Sequence, residues 1–139
     1  MATPDRLYLD KNDSDVIEKI KSFGDVYNLK EAQNKEIFLL AMAVGETAGG
    51  EGYPIERKEG FILDKYLSMD DMALVNSLAV NKYKNVEIVA DKEKVYDYAQ
   101  QCAHLGLKLL LDEVTNAAHG SFEKRMLAKL DEMYEKFDL

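Results

Sequence analysis

An unbroken apolar run is the clearest pattern in the chain. Every position from Ile37 to Val44 is apolar. At 3.6 residues per turn, such a helix is apolar on all sides and needs protein around most of its surface. The run is too short to span a bilayer. The pattern therefore predicts a central core helix from about Lys30 to Val44, which ends at Gly45.

Four further helices are predicted where apolar residues recur three and four positions apart. Their approximate ranges are 14–23, 69–82, 92–115 and 121–137. Each begins beside a side-chain oxygen that can accept a free first-turn amide. These N-cap candidates are Asp13–Ser14, Ser68, Asp91 and Ser121. Gly106 interrupts one stripe, which predicts a kink or close helix packing, and residues 116–120 break the pattern before the last helix.

The remaining segments lack a helical pattern. Leu7–Leu9 is a short apolar island, which is typical of a loose arm or of a short docked strand. Residues 46–54 hold three glycines and a proline, so we expect an exposed loop. Residues 55–67 are expected to be extended or irregular, with aromatic side chains packed onto the core helix. Val86–Ala90 is rich in β-branched residues and predicts a strand or an extended connector.

Length and composition favour a single folded unit. The chain has 139 residues, of which 47% are hydrophobic and 32% charged, a balance typical of a globular domain. Helices with short connections favour a mainly α fold. We therefore expect one compact helical domain over residues 1–139, with about five helices and a short strand or β-hairpin element. Residues 1–12 are a candidate flexible arm.

The charge of the chain bears on its partners. The formal net charge is −8 and the isoelectric point about 4.8. An acidic surface repels the phosphate backbone, which disfavours nucleic-acid binding unless the basic residues cluster. The same charge suits a basic protein partner or mimicry of DNA, although most acidic small domains are acidic simply for solubility.

Cysteine content and the N-terminus indicate a compartment. Cys102 is the single cysteine, so no internal disulfide can form, as is usual in a reducing cytoplasm. Met1–Arg6 has no apolar segment of the kind that opens a secretory signal. No apolar run approaches the length of a transmembrane helix. We therefore expect a cytoplasmic protein without membrane contact.

Motifs for catalysis, metal binding or phosphate binding are not apparent. Cys102 and His104 are two apart, so on a helix they point about 200° away from each other and cannot share a metal. The glycines of residues 45–52 match neither a Walker A nor a dinucleotide pattern. Acidic Asp112 and Glu113 near a helix end are unfavourable for the helix dipole and suggest a salt bridge or a partner contact. We therefore expect that the protein is not an enzyme and that it has neither a cofactor nor a metal site.

The best surface candidate is a segment that follows the glycine-rich loop. It places two cations beside aromatic rings, an arrangement that suits a phosphate or an acidic partner. Its candidate partner-binding residues are Tyr53, Arg57, Lys58 and Phe61. The alternative is an ordinary solvated loop in which Glu56 and Glu59 neutralise the cations.

The core run and three later stretches share a pattern with known proteins. The stretches are Lys35–Gly45 (KEIFLLAMAVG), Arg57–Ile62 (RKEGFI), Tyr66–Leu67 and Asp70–Val80. With a later helix that contains Tyr98, Ala99 and Gly106, the similarity covers residues 34–113. It resembles a small family of DNA-phosphorothioation-associated proteins, encoded beside bacterial and archaeal phosphorothioation-dependent modification and restriction genes. The resemblance implies a role in such a locus and carries over no catalytic residues.

Three functional hypotheses follow. The first is a non-enzymatic accessory protein of a DNA phosphorothioation modification/restriction or phage-defence locus, which binds other proteins of that system. The second is an acidic DNA-mimic inhibitor that occupies the groove of a nucleic-acid-binding protein. The third is a weak DNA-contacting module that uses Arg57, Lys58, Lys82 and Lys84. Direct nucleic-acid binding and homodimer formation both stay open.

Overall fold

Helices dominate the architecture, as expected from the sequence. The structure, a computed structural model, describes residues 4–23, 33–50, 55–56, 58–117, 129–133 and 135. In chain order, the elements are β1 (Arg6–Asp10), α1 (Asp13–Phe23), α2 (Asn34–Thr47), β2 (Lys58–Leu63), α3 (Met69–Tyr83) and α4 (Lys92–Ala117). Two short 3-10 segments cover Asp64–Tyr66 and Val86–Ala90, and residues 129–133 are helical. The fold is compact and mainly α with one small antiparallel sheet, which confirms the predicted fold class.

Helix α2 is central, but its bounds and its burial differ from prediction. It begins at Asn34 because the extended Gln33 caps it, with the Gln33 amide donating to Glu36 Oε1 at 3.2 Å. It runs past Gly45 to Thr47, so the predicted stop at Gly45 is wrong, as is the loop assignment of residues 46 and 47. Phe38 and Met42 are fully buried, whereas Leu40 is 38% exposed, so one face of the apolar run meets solvent.

Two glycines explain how closely α2 and α4 pack. A Cβ atom placed on Gly45 would lie 1.7 Å from the Cys102 carbonyl oxygen, and one on Gly106 would lie 1.7 Å from the Ala41 carbonyl oxygen. The contacts are reciprocal, because Ala41 and Gly45 of α2 face Gly106 and Cys102 of α4 in antiparallel order. Gly106 therefore serves close helix packing, one of its two predicted roles. Gly45 was predicted as a helix end and is instead the second half of this crossing.

The other helices follow their sequence patterns. Helix α1 buries Ile17 and Ile20, as its stripe predicts. Helix α3 opens on the predicted capping box, in which the Asp71 amide donates to Ser68 Oγ at 3.0 Å and the Ser68 amide donates to Asp71 Oδ2 at 2.9 Å. Helix α4 continues to Ala117, so the break predicted at residues 116–120 does not begin at Asn116. Most of the predicted helix 121–137 lies outside the described residues.

The sheet joins the start of the chain to its middle. Strands β1 and β2 pair antiparallel, and the alternative of a docked strand at Leu7–Leu9 is the one observed. Leu7 and Leu9 face the core and are almost fully buried. The pairing steps from Leu7–Ile62 to Tyr8–Gly60, so Phe61 has no partner on β1 and forms a β-bulge.

The segment Val86–Ala90 is a 3-10 helix, so the predicted strand or extended connector is wrong. Asn85 accounts for the difference, because its side-chain oxygen accepts the Glu87 amide at 2.9 Å and turns the backbone. The Ile88 amide then donates to the Asn85 carbonyl, and the Asp91 amide to the Ile88 carbonyl. Within the part of the chain that the structure describes, none of the helices has the length and apolar character required to cross a bilayer.

Candidate protein-binding site at strand β2

The structure describes two of the four predicted partner-binding residues. Tyr53 and Arg57 lie outside the described residues. Lys58 is the first residue of β2 and is exposed, whereas Phe61 is half-buried at the bulge. The ring of Phe61 packs against Phe38 of α2, with ring centroids 5.7 Å apart. Phe61 therefore fixes β2 to the core helix, as expected for an aromatic residue of the segment 55–67. Its half-buried side chain also reaches the surface.

A groove lies between β2 and the start of α2. It has a volume of about 350 Å³ and is open to solvent. We call it the β2 groove, and its lining residues are Gln33, Asn34, Lys35, Phe61, Ile62 and Tyr66. It combines an apolar floor with amide groups and one cation, a composition that suits recognition of a mixed polar and apolar segment.

Lys35 holds a defined position at this groove. Its ammonium group lies 2.9 Å from Asp71 Oδ2 and donates to the Tyr66 carbonyl at 3.3 Å. The Ser68 amide, and after it the Lys35 ammonium, hold the pKa of Asp71 below its usual range. Lys35 thus links the starts of α2 and α3 to the chain that follows β2. Its side chain is 26% exposed, so it remains accessible from the groove.

Tyr66 presents most of its ring to solvent. It is 62% exposed, and Lys65 Nζ lies 5.2 Å from the ring centroid. An exposed aromatic ring beside an apolar groove is common where a protein binds another protein, because such a ring buries a large area at little entropic cost. Among the apolar and aromatic residues of the groove, Tyr66 offers the most surface to a partner.

The two outer edges of the sheet differ. The Tyr8 amide of β1 points away from β2 and donates to Oε1 of the buried Gln100 at 2.8 Å, so α4 closes that position of the β1 edge. In an antiparallel strand, the backbone N–H and C=O groups of alternate residues point toward the partner strand. On β1 these residues are Leu7 and Leu9, whose backbone groups point toward Ile62 and Glu59 of β2. The Asp64 amide donates to the Asp5 carbonyl at 2.9 Å, which continues this alternation.

The same alternation identifies the residues of β2 whose N–H and C=O groups point away from β1. These residues are Lys58, Gly60 and Leu63, which alternate with those facing β1. In the ranges that the structure describes, no second strand pairs with this side of β2. One edge of the sheet is therefore closed by a buried side chain, whereas the other lies open beside the groove.

Two partly buried polar clusters hold the fold together. The Asp64 carboxylate accepts hydrogen bonds from both Lys92 and Tyr96. Burial is the main cause that raises the pKa of the Tyr96 hydroxyl, and the hydrogen bond to Asp64 raises it further. His104 Nδ1 lies 2.6 Å from Asp13 Oδ2 and ties α1 to α4. Burial raises the pKa of Asp13 despite this contact with His104.

Other residues singled out in the sequence have structural environments. Cys102 is buried, and its burial raises the thiol pKa to about 11, as a structural thiol should show. Glu113 forms an ion pair with Lys129 at 2.6 Å, the salt bridge considered for this acidic helix end. Among the described His, Cys, Asp and Glu residues, no group of three is placed to hold a metal ion.

The described basic residues of the DNA-contacting hypothesis lie in two places, with Lys58 at the start of β2 and Lys82 and Lys84 at the end of α3. Lys82 and Lys84 lie at the opposite end of α3 from Asp71 and the β2 groove. Lys82 Nζ stands 5.9 Å from the Tyr98 ring centroid, and Lys84 Nζ donates to Asn81 at 3.3 Å. The lysines at the end of α3 thus contribute no positive charge to the β2 groove.

Comparison with protein-family models, curated proteins and solved structures finds no match for this chain. The groove residues that sequence reasoning missed are Gln33, Asn34, Lys35, Ile62 and Tyr66. The capping box at Gln33 and Glu36 was one available signal, although glutamine is uncommon at an N-cap. The pairing of Lys35 with Tyr66 had no sequence signal, because the two residues are 31 positions apart.

Proposed function

We propose that this chain is a non-enzymatic cytoplasmic accessory protein of a DNA phosphorothioation modification/restriction or phage-defence locus. It acts by binding another protein of that system through the β2 groove and the open edge of β2. The resemblance over residues 34–113 supports the type of locus. The open groove supports the mode of action and is the observation that carries the proposal.

The chemistry of the groove supports protein binding over DNA binding. A DNA surface requires several cations that can each neutralise a phosphate. Of the described groove-lining residues, Lys35 carries the one positive charge, which is fewer cations than a stretch of phosphate backbone requires. Phe61, Ile62 and Tyr66 supply apolar area instead, which is the usual source of affinity between proteins.

Co-expression with each protein of a phosphorothioation locus tests this proposal. One of them should co-purify with the wild-type chain, and Tyr66→Ala should weaken that complex by at least tenfold, because Tyr66 is the most exposed aromatic residue of the groove. Tyr83→Ala is the matched control, since Tyr83 is a partly exposed tyrosine at the far end of α3. Failure of every protein of the locus to bind, or equal weakening by both variants, would contradict the proposal.

A further inference from the structure

We infer that the partner binds by adding an extended segment to the outer edge of β2, with a large apolar side chain in the β2 groove and a carboxylate beside Lys35. This inference rests on the proposed function and names the kind of segment that the site recognises. Strand addition gives affinity through main-chain hydrogen bonds, and an adjacent pocket gives specificity.

The first argument is the difference between the two sheet edges. An open strand edge is a template for pairing with another chain, and proteins commonly cover such edges. Here Gln100 of α4 covers the β1 edge at Tyr8. No such contact covers β2 within the described residues, although this strand is of similar length.

The second argument is the number of groups that the edge offers. Lys58, Gly60 and Leu63 each direct one amide and one carbonyl away from β1. Ile62 is buried in the core, and Phe61 packs against Phe38 at the groove. A segment in extended form therefore finds backbone partners at Lys58 and Gly60, on one side of the bulge at Phe61, and at Leu63 on the other side.

The third argument concerns charge. An ammonium group has three N–H donors. Two of the Lys35 donors are directed to Asp71 and to the Tyr66 carbonyl, which leaves the third for a carboxylate that enters the groove. Exposed Lys58 adds a second cation at the start of the edge. The segment that complements these charges carries acidic residues around its apolar anchor.

A second copy of this chain fits the edge less well. Antiparallel pairing of β2 with itself about Gly60 and Phe61 would place Lys58 opposite Leu63 and would form no charge pair. Each copy also carries a net charge of −8, so two copies repel each other. A segment of a different protein avoids the first problem, because it can place a carboxylate beside Lys35 or Lys58.

Selection of peptides tests the inference without knowledge of the partner. The probe is a phage-displayed library of random twelve-residue peptides, selected against the full chain. We expect enriched sequences that alternate apolar and polar residues and carry Asp or Glu near a large apolar residue. On addition of a synthetic copy of an enriched peptide, the amides of Lys58, Gly60 and Leu63 should exchange with solvent at least tenfold more slowly.

Two substitutions at one position separate strand addition from other binding modes. Gly60→Pro removes the outward amide and leaves the bonds of Glu59 and Ile62 to β1, so peptide affinity should fall at least tenfold. Gly60→Ala is the matched control, because it keeps the amide and its Cβ meets the flexible Arg6 side chain at 3.1 Å. Should Gly60→Pro fail to fold, Lys58→Glu is used, and it should weaken the acidic peptides at least fivefold.

The outcomes are distinct. An unproductive selection, slowed exchange in the helices instead of β2, or full affinity in folded Gly60→Pro would each overturn strand addition. A complex with a protein of the locus that survives Gly60→Pro would retain the proposed function and reject this mode. Peptides that bind β2 when no protein of the locus does would retain the mode and reject the proposed function.

Discussion

Replacement of Gly106 by alanine should destabilise the fold, although alanine is the better helix former. In an ordinary helix this change stabilises by about 1 kcal/mol. Here the new Cβ would lie 1.7 Å from the Ala41 carbonyl oxygen, and real Cβ atoms essentially never come within 3.0 Å of another heavy atom. Helices α2 and α4 would have to separate by more than 1 Å, and backbone atoms cannot rotate away as a flexible side chain can.

The size of the effect follows from two opposing contributions. Overpacking of a well-packed core costs about 1–3 kcal/mol and sometimes more, and a contact with backbone belongs at the upper end of that range. After subtraction of the helix-propensity gain, we expect a net loss of about 2 kcal/mol or more. That is a large share of the roughly 5–15 kcal/mol that stabilises a typical domain.

Urea unfolding followed by far-ultraviolet circular dichroism measures this loss. The midpoint should fall with an unchanged slope, which shows that stability has changed and not the unfolded state. Thr115→Ala is the control, because Thr115 is exposed on the same helix and gains helix propensity without a clash. A Gly106→Ala variant as stable as the wild type would refute the idea that the two backbones meet at the glycines.

The reciprocal glycine makes the argument sharper. Gly45→Ala should show a similar loss, because its Cβ would lie equally close to the Cys102 carbonyl oxygen. Once one alanine has separated the helices, the Cβ atom of the second alanine clashes less with the facing backbone. The double variant should therefore lose less stability than the two single losses added together, as coupled neighbours do. Strict additivity would mean that each clash is relieved locally.

Three further predictions concern α3, Cys102 and DNA. Ser68→Ala should cost about 1 kcal/mol of stability in the same urea assay, because it removes the side chain that caps α3. The pKa of Asp71 is lowered in the fold, so the stabilisation from the Asp71 carboxylate should be present above pH 4 and disappear as the pH falls through the lowered pKa. At pH 8, iodoacetamide should alkylate Cys102 far more slowly in the native than in the urea-unfolded chain, because burial raises its pKa to about 11, and equal rates would contradict the buried position. In an electrophoretic mobility assay the chain, with its net charge of −8, should not bind duplex DNA at low salt, whereas binding that weakens steeply with added salt would support the DNA-contacting hypothesis.

The features that could be predicted from the sequence are those that local chemistry determines. Ser68 and Asp71 form a capping box with residues three apart, so the start of α3 was predictable. Ile17 and Ile20 lie one helical turn apart and identify the buried face of α1. Such signals need no knowledge of the rest of the chain.

The remaining features depend on what each segment meets in three dimensions. Leu40 belongs to an apolar run that looks fully buried, yet no described element covers it fully, which the run itself cannot reveal. Gly45 has the character of a helix stop until the Cys102 carbonyl opposite it is known. The β2 groove joins residues near 33 with residues near 66, and only the folded chain brings them together.

Strand β1 also limits how the protein can be shortened. Removal of the first twelve residues as if they were a dispensable arm would delete Leu7 and Leu9, which are enclosed in the core. It would also leave Gln100 without its amide partner and expose both sides of β2. A truncated chain of this kind would tend to self-associate through strand pairing, so a tag is best added ahead of Asp5 without loss of the strand that follows it.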